Sequence, residues 1–225
     1  RVQRLKTKYP QGGERMLIHA VTGRDICASR LPIAAGCIVL NVSTVISVYL
    51  AVCRRVPQIA TIMTVTGDGA AAPCNLRVPT GSSHREVLEA AGGIKPGAQP
   101  EKIVSGGPMM GIALPDLDVP VVKTSSSILL LCHDEVAAWE PTACIRCGRC
   151  VRACPERLVP AELAKKADSG DLAGYEKLGG MECIECGCCT VVCPAKRRLT
   201  QSFKYARAAV AAERRAAAAR AKKEG

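Results

Sequence analysis

The order of apolar and polar residues predicts short helices and strands over the first 56 residues. Residues 15–21 have a helical pattern. An uncharged run of 21 residues, 33–53, then predicts a buried strand over about 37–40, a turn at Asn41 and a helix to about Arg55. The run is long enough to span a bilayer, but glycine and polar residues interrupt it, and we expect no transmembrane helix. Segment 1–56 is predicted to be the later part of an α/β layer, which suggests a fragment of a longer protein.

A second segment, 57–135, combines strand-like runs with one helix. Strands are predicted at 59–66, 75–80 and 102–105, and further strand-like runs lie at 119–122 and 127–132. Ser82 or Ser83 can cap a helix that runs through Ala91, and Ser83 with Glu86 fits a capping box. The order strand, strand, helix, strand predicts a small α+β roll.

The last third of the chain is predicted to be helical. Short helical patterns lie at 161–167 and 172–178, within a segment that spans 136–199. From Thr200 the chain is predicted to form one helix rich in alanine and arginine, the tail 200–225. Ten of the sixteen residues 206–221 are alanine, which is a strong helix former.

The net charge of +11 is concentrated at this end of the chain. Residues 196–225 carry ten lysines and arginines against two acidic residues, so the preceding body is nearly neutral. The tail is expected to be solvated; the alternative is that it binds an anionic membrane surface or a partner protein. Nucleic acid is not expected as a ligand, because only Phe203 and Tyr205 could stack on bases there.

Two cysteine strings near the end of the chain carry the candidate chemistry. Residues 144–155 read CIRCGRCVRACP and residues 183–194 read CIECGCCTVVCP, so both have the spacing C-x2-C-x2-C-x3-C-P. Bacterial two-cluster ferredoxins have this spacing, and in them the fourth cysteine of each string binds the other cluster. We therefore predict two [4Fe–4S] clusters with crossed ligands. The first quartet is Cys144, Cys147, Cys150 and Cys193, and the second is Cys183, Cys186, Cys189 and Cys154.

Zinc sites and disulfides fit these cysteines less well. Zinc sites usually present separated C-x2-C pairs, and disulfide scaffolds are mainly small secreted domains. Cys188 breaks the pattern of the second string and is predicted to be a small packing residue, although it could compete with Cys189 for iron. The cysteines outside the quartets are predicted to be free thiols, most of them buried, in a reducing compartment.

Three features, in order along the chain, carry a resemblance to a known family. They are KTKYPQGGE at 6–14, SGGPMMG at 105–111, and the two cysteine strings. Together they resemble the C subunit of the Rnf electron-transport complex, and the resemblance runs to about residue 205. The same resemblance implies relatives in the flavin-bearing NADH-oxidising subunit of respiratory complex I.

The fold implied by the resemblance is multidomain, α/β and α+β. It has a partial Rossmann-like segment over 1–56 and a β-grasp domain of the soluble-ligand-binding type over 57–135. A helical, ferredoxin-type domain with two [4Fe–4S] clusters follows over 136–199, and then the tail.

The resemblance implies a peripheral subunit on the cytoplasmic side of the bacterial inner membrane. The family complex couples electron transfer between NADH and ferredoxin to the movement of Na⁺ or H⁺, so its other subunits are the expected partners. We expect the chain to relay single electrons and not to be catalytic alone. The alternative functions are the iron–sulfur subunit of a soluble flavin-dependent oxidoreductase, and a membrane- or partner-binding module that acts through the tail.

The resemblance also implies a flavin and NADH site near the start of the chain. The residues concerned are Gly12, Gly13, Glu14, Asn41 and Thr44. Glu14 would approach the nicotinamide, and Asn41 and Thr44 would lie near the flavin; the alternative is a glycine turn, an exposed glutamate and a helix-capping asparagine. The chain has no intact G-x-G-x-x-G loop to cradle a phosphate. FMN and NADH are therefore expected only in a longer chain that includes it.

Charged residues differ between the strings. Arg146, Arg149 and Arg152 lie in the first string, and Glu182 and Glu185 lie in or beside the second. Because positive charge favours the reduced form of a cluster, the first cluster is predicted to have the higher potential.

Overall fold

The computed structural model describes residues 2–224, and it divides into two compact units. The sheet unit comprises Leu40–Trp139. The helical unit joins the residues up to Val39 with those from Glu140 onward. The predicted segment 1–56 is therefore shared between the two units, with its second helix in the sheet unit.

The chain contains eight α-helices and five strands within the described residues. In chain order the helices are α1 (Glu14–Thr22), α2 (Val42–Arg54), α3 (His84–Ala90), α4 (Arg149–Ala153), α5 (Pro160–Asp168), α6 (Leu172–Lys177), α7 (Cys188–Val191) and α8 (Leu199–Glu224). The strands are β1 (Ala60–Gly67), β2 (Cys74–Pro79), β3 (Lys102–Ser105), β4 (Ile112–Ala113) and β5 (Ser127–Leu131). Short 3₁₀ helices lie at Pro32–Ala35 and Gly180–Glu182.

The five strands form one mixed sheet in the order β2-β1-β5-β3-β4. Strands β1 and β5 are parallel, and the other neighbouring pairs are antiparallel. Burial alternates along β1, where Met63 and Val65 are fully buried, as expected for a strand with one face on a core. The core of the unit is Met63, Val65, Ala70, Val78, Val87, Leu88, Ala91, Val121, Ile128 and Leu130. This core joins one face of the sheet to α3. The order β1, β2, α3, β3 along the chain confirms the predicted order of strand, strand, helix and strand.

Helix α3 begins with the predicted capping box. Ser83 Oγ accepts a hydrogen bond from the Glu86 N–H at 3.1 Å, and Glu86 Oε2 accepts one from the Ser83 N–H at 2.7 Å. Two N–H groups at the start of the helix, which have no partner within it, are satisfied in this way.

The helical unit packs around α8. Its core is Leu163, Ala164, Tyr175, Cys189, Leu199, Phe203 and Ala206. The rings of Tyr175 and Phe203 lie 6.2 Å apart, centre to centre. The predicted helices at 161–167, at 172–178 and from Thr200 are confirmed by α5, α6 and α8. Among residues 199–221 of α8, whose burial is described, the last buried side chain is Val210, and residues 212–221 are exposed.

Two predicted strands are wrong. Residues 37–40 form no strand, and residues 119–122 make only a single bridge, between Pro120 and Ser83. Ile38 and Leu40 are 77% and 52% exposed. A strand needs a neighbouring strand for its backbone groups, and among the described residues no strand precedes Ala60. Residues 2–56, predicted to be part of an α/β layer, therefore contain helices and no strand.

The cysteines outside the quartets are not buried, contrary to the prediction. Cys27 and Cys53 are exposed, and Cys37, Cys74, Cys132 and Cys188 are partly exposed. Apolar neighbours in sequence do not ensure a core position. Cys53, for example, lies on α2, which has no buried residue.

Within residues 2–224, none of the helices combines the length and the hydrophobicity that a membrane span requires.

Candidate metal centre

The two cysteine strings fold into the same backbone. Left-handed residues occur at matching places: Arg146 and Glu185 (φ 54° and 55°), Gly148 and Gly187 (72° and 79°), and Arg157 and Lys196 (55° and 52°). Non-glycine residues rarely have positive φ, so the repetition indicates one loop conformation made twice. In each string the glycine precedes a short helix, α4 or α7, which carries the third cysteine and ends near the fourth.

The first quartet surrounds one cavity. Cys144, Cys147 and Cys150 line it from the first string, and Cys193 lines it from the second. The cavity has a volume of about 240 Å³. The structure therefore brings together the four cysteines that the crossed pattern predicts, although their role as ligands stays a prediction.

The second quartet surrounds a separate and smaller cavity, of about 20 Å³. Cys183, Cys186 and Cys189 line it from the second string, and Cys154 lines it from the first. Cys188 is not among the lining residues of either cavity. The crossing of the fourth cysteine thus occurs in both directions.

The donor set of each quartet fits an iron–sulfur cluster. In the described part of the chain, no three His, Cys, Asp or Glu side chains converge closely enough to hold a single metal ion. Each quartet instead places four thiols around a space, and cysteine thiolates are the usual protein ligands of such clusters. The N–H groups of Leu158 and Glu185 donate to the sulfurs of Cys154 and Cys183, both at 3.4 Å. Hydrogen bonds of this kind help to set a cluster's potential.

Burial disfavours the thiolate form of several of these cysteines. It raises the pKa of Cys150, Cys154 and Cys183, and it raises the pKa of Cys189 to about 11. Because a metal-bound cysteine is a thiolate, loading with iron must displace protons from these side chains.

The start of the chain covers one side of the second string. Tyr9 Oη donates to the carbonyl oxygen of Cys186 at 2.5 Å. Arg15 donates to both the carboxylate and the backbone carbonyl of Glu182, and its Nη2 lies 3.3 Å from Glu156 Oε1. That Oε1 makes no hydrogen bond, and burial raises the pKa of Glu156. Arg15 therefore holds two carboxylates beside the second quartet.

Helix α8 holds the same string at a second point. Arg207 Nη1 donates to the carbonyl oxygens of Met181 and Cys183, at 2.6 and 2.5 Å. Its Nε lies 2.9 Å from Glu185 Oε1. The acidic residues of the second string, Glu182 and Glu185, are thus each paired with an arginine from outside it.

The first string is more exposed than the second at matching positions. Cys144 and Cys147 are exposed, whereas Cys183 and Cys186 are partly buried. Cys150 is partly buried, whereas Cys189 is buried. Two loops of the same conformation therefore lie in different environments.

The residues predicted for a flavin and NADH site lie in both units. Gly12, Gly13 and Glu14 belong to the helical unit, and Asn41 and Thr44 belong to the sheet unit. Gly13 precedes α1, and a Cβ placed on it would lie 3.8 Å from the side chain of Ile184 in the second string. Asn41 caps α2, since its Oδ1 accepts from the Ser43 N–H at 2.9 Å. The flavin role of these residues stays a prediction.

Sequence reasoning missed Tyr9, Arg15 and Arg207. Arg15 lies 167 positions from Glu182, and Tyr9 lies 177 positions from Cys186, so no local spacing joins them. A search for arginines that could balance Glu182 and Glu185 could have found Arg15 and Arg207, whereas no signal in the sequence indicated the contact of Tyr9.

Three family models match parts of the chain. One described as the Nuo51 FMN-binding domain matches residues 1–50, and an SLBB domain matches residues 62–113. A 4Fe-4S dicluster domain matches residues 143–198, which contain both quartets.

Curated relatives match most of the chain. The C subunit of a proton-translocating ferredoxin:NAD(+) oxidoreductase complex from Clostridium ljungdahlii is 44% identical over 71% of the chain and 35% of the relative. The C subunit of an ion-translocating oxidoreductase complex from Rhodobacter capsulatus is 44% identical over 89% and 38%. The C subunit of a Na(+)-translocating ferredoxin:NAD(+) oxidoreductase complex from Acetobacterium woodii is 40% identical over 95% and 48%. The chain thus spans less than half the length of these relatives.

Proposed function

We propose that this chain is an electron-transfer subunit with two [4Fe–4S] clusters. It resembles the C subunits of ion-translocating oxidoreductase complexes over most of its length. The observation that carries the proposal is the pair of cavities, each lined by three cysteines of one string and the fourth of the other. The match of a 4Fe-4S dicluster domain to residues 143–198 supports the same cofactors.

The chain's own residues would hold the two clusters and set their surroundings. When bound, such clusters accept and release one electron at a time. Cys154 and Cys193 tie the strings together, because each belongs to one string and lines the cavity of the other. Arg15 and Arg207 fix the loop of the second string through its carbonyl oxygens. The N–H groups of Leu158 and Glu185 donate to sulfur.

We infer that the protein works within a membrane-associated complex that transfers electrons between NADH and ferredoxin and moves an ion. The printed names of the relatives support this inference. The protein would be peripheral, on the cytoplasmic side of the bacterial inner membrane, and would depend on other subunits for catalysis. Its first segment would be part of a Rossmann-like flavin domain, and its sheet unit would be a β-grasp domain of the soluble-ligand-binding type; the matched family models agree with both.

A flavin and NADH site would require a longer chain. The match of the Nuo51 FMN-binding domain to residues 1–50 supports FMN in such a chain. Gly12, Gly13, Glu14, Asn41 and Thr44 would then be the contributions of this segment to the site.

Iron and sulfide analysis of the anaerobically purified protein tests the cluster assignment. We expect about eight iron and eight sulfide per chain, and electron paramagnetic resonance signals of two four-iron clusters after reduction. Cys154→Ser and Cys193→Ser should each lower the iron content by about half, while Cys188→Ala, the matched control, should retain all of it. Zinc in place of iron, or half of this iron in a fully loaded wild-type sample, would contradict the proposal.

A further inference from the structure

We propose that the surface around the first cysteine string binds the negatively charged face of an electron-carrier protein. This first-string surface consists of residues 144–152 and 191–196. The proposal rests on the function proposed above, because it assigns a partner to one of the two cluster sites.

The first-string surface has exposed apolar side chains. Ile145, Val151 and Val191 are 66%, 37% and 73% exposed. Cys193 and Pro194 line both the cavity of the first quartet and a shallow neighbouring pocket that contains Val191. The apolar side chains and the exposed cysteines of the first quartet therefore belong to one continuous surface.

Basic side chains line the same surface. Arg146, Arg149 and Arg152 are exposed, and within residues 2–224 none of the three has an ion-pair partner. Arg149 and Arg152 line the shallow pocket together with Lys196. Glu162 is the one acidic residue that lines either recess in the described structure. The surface thus combines exposed apolar side chains with an excess of positive charge.

This arrangement has the properties of a transient electron-transfer interface. Such interfaces bury less surface than most stable complexes, often below about 1,200 Å². Unpaired charges at the edge attract an oppositely charged partner and raise the association rate, more than they add to affinity. A small apolar centre can then exclude water without making the complex permanent. A partner bound here would cover Cys144 and Cys147.

The loop of the second string, residues 183–189, lacks these features although its backbone is the same. Ile184, which matches Ile145, is partly buried, and its side chain approaches Gly13. Glu185, which matches Arg146, is paired with Arg207. Loop 183–189 supplies three cysteines of its quartet without exposed arginines or exposed apolar residues, so both are additional features of the loop of the first string.

A protein partner explains the position of the charges better than a lipid surface does. Arg146 lies within the loop that carries the exposed cysteines, and Arg149 and Arg152 lie on α4, which follows it, so the three charges would direct a partner to the candidate redox centre. Attraction to anionic lipid needs positive charge near the membrane but no such centre. The test must therefore distinguish binding to a protein partner from binding to anionic vesicles.

The test measures binding of the iron-loaded full chain to an acidic two-cluster ferredoxin, by biolayer interferometry at several salt concentrations. The variant Arg146→Asn, Arg149→Ser, Arg152→Ser removes three charges, and asparagine at 146 tolerates the left-handed backbone. We expect it to weaken binding about tenfold at low salt and to reduce the dependence of affinity on salt. The matched control, Arg54→Ser, Arg215→Ser, Arg220→Ser, removes three exposed arginines elsewhere and should bind like the wild type.

Iron and sulfide content is measured for every sample, which separates this proposal from the proposed function. A wild type without clusters would contradict the proposed function. With both clusters present, the docking proposal would be overturned by equal binding of the two triple variants or by absence of ferredoxin binding. It would also be overturned if a basic cytochrome c, or vesicles of phosphatidylglycerol, bound in place of ferredoxin through the same three arginines.

Discussion

Single arginines decide how the two candidate clusters differ in charge. In the sequence, Arg146, Arg149 and Arg152 lie in the first string, and two glutamates lie in or beside the second. In the structure Arg15 and Arg207 compensate Glu182 and Glu185, so the glutamates contribute less negative charge than the sequence suggests. The exposure of the first string adds to the difference, because solvent stabilises the more highly charged, reduced cluster. The first cluster is still predicted to have the higher potential, for a partly different reason.

Replacing Arg207 by methionine tests the role of this side chain. Arg207→Met removes a positive charge and the hydrogen bonds to the carbonyl oxygens of Met181 and Cys183, and it leaves Glu185 unpaired. We expect the potential of the second cluster to fall, on the order of tens of millivolts, since reduction adds negative charge. A redox titration followed by electron paramagnetic resonance measures the change.

The control is Arg214→Met, because Arg214 lies on the same helix and pairs with Glu176. It should leave both potentials unchanged. An unchanged or raised potential in Arg207→Met, with eight iron retained, would show that Arg207 has only a structural role.

At the scale of the element, the capping box makes a measurable prediction for the sheet unit. Ser83→Ala removes the oxygen that accepts from the Glu86 N–H at the start of α3. The free energy of unfolding should fall by about 1 kcal/mol. Urea denaturation measures the loss, with Ser82→Ala as the matched control. Equal destabilisation by both variants would contradict a specific role for the cap.

The elements predicted best are those whose signal is local. The β-rich run of β1, the Ser83–Glu86 spacing and the alanine content of α8 each fall within one element, and the structure has the corresponding strand, capping box and helix. The strand predicted at 37–40 failed because hydrophobicity indicates a tendency to be buried but does not specify a partner. Strand β4 was missed because two residues are too short for a pattern.

The same reasoning applies to the candidate site. Cysteine spacing predicted the two quartets, and the structure places each around its own cavity, while iron binding stays a prediction of this part of the chain. Tyr9, Arg15 and Arg207 could not be predicted, because they reach the second string from the two ends of the chain. Their contacts depend on how distant segments pack together, and the spacing of the cysteines gives no information about that packing.

At the scale of the whole molecule, the two units have cores of different composition. The core of the helical unit contains Cys189, and Cys150 and Cys183 pack against it. The core of the sheet unit contains none of the eight cysteines of the quartets. Metal binding that joins ligands from separate segments contributes directly to folding free energy. Loss of the clusters should therefore affect the two units unequally.

Hydrogen exchange measured by mass spectrometry can detect this difference. After removal of iron by a chelator, amides of α4 to α7 should lose protection, while those of β1 to β5 should keep it. Reconstitution with iron and sulfide should restore the first group. Loss of protection in both units, or in neither, would contradict a stabilising role confined to the helical unit.

The repeated loop conformation has a consequence for how the strings can be exchanged. Because left-handed residues occupy the same three places in each, either loop offers the other's side chains an equivalent backbone. A chimera with the first string's loop in both positions would keep the geometry of the cysteines and lose the pairing of Glu185 with Arg207. The cysteines that would hold a cluster are thus distinct from the charged residues that make the two sites differ. Either set can be altered while the other is kept.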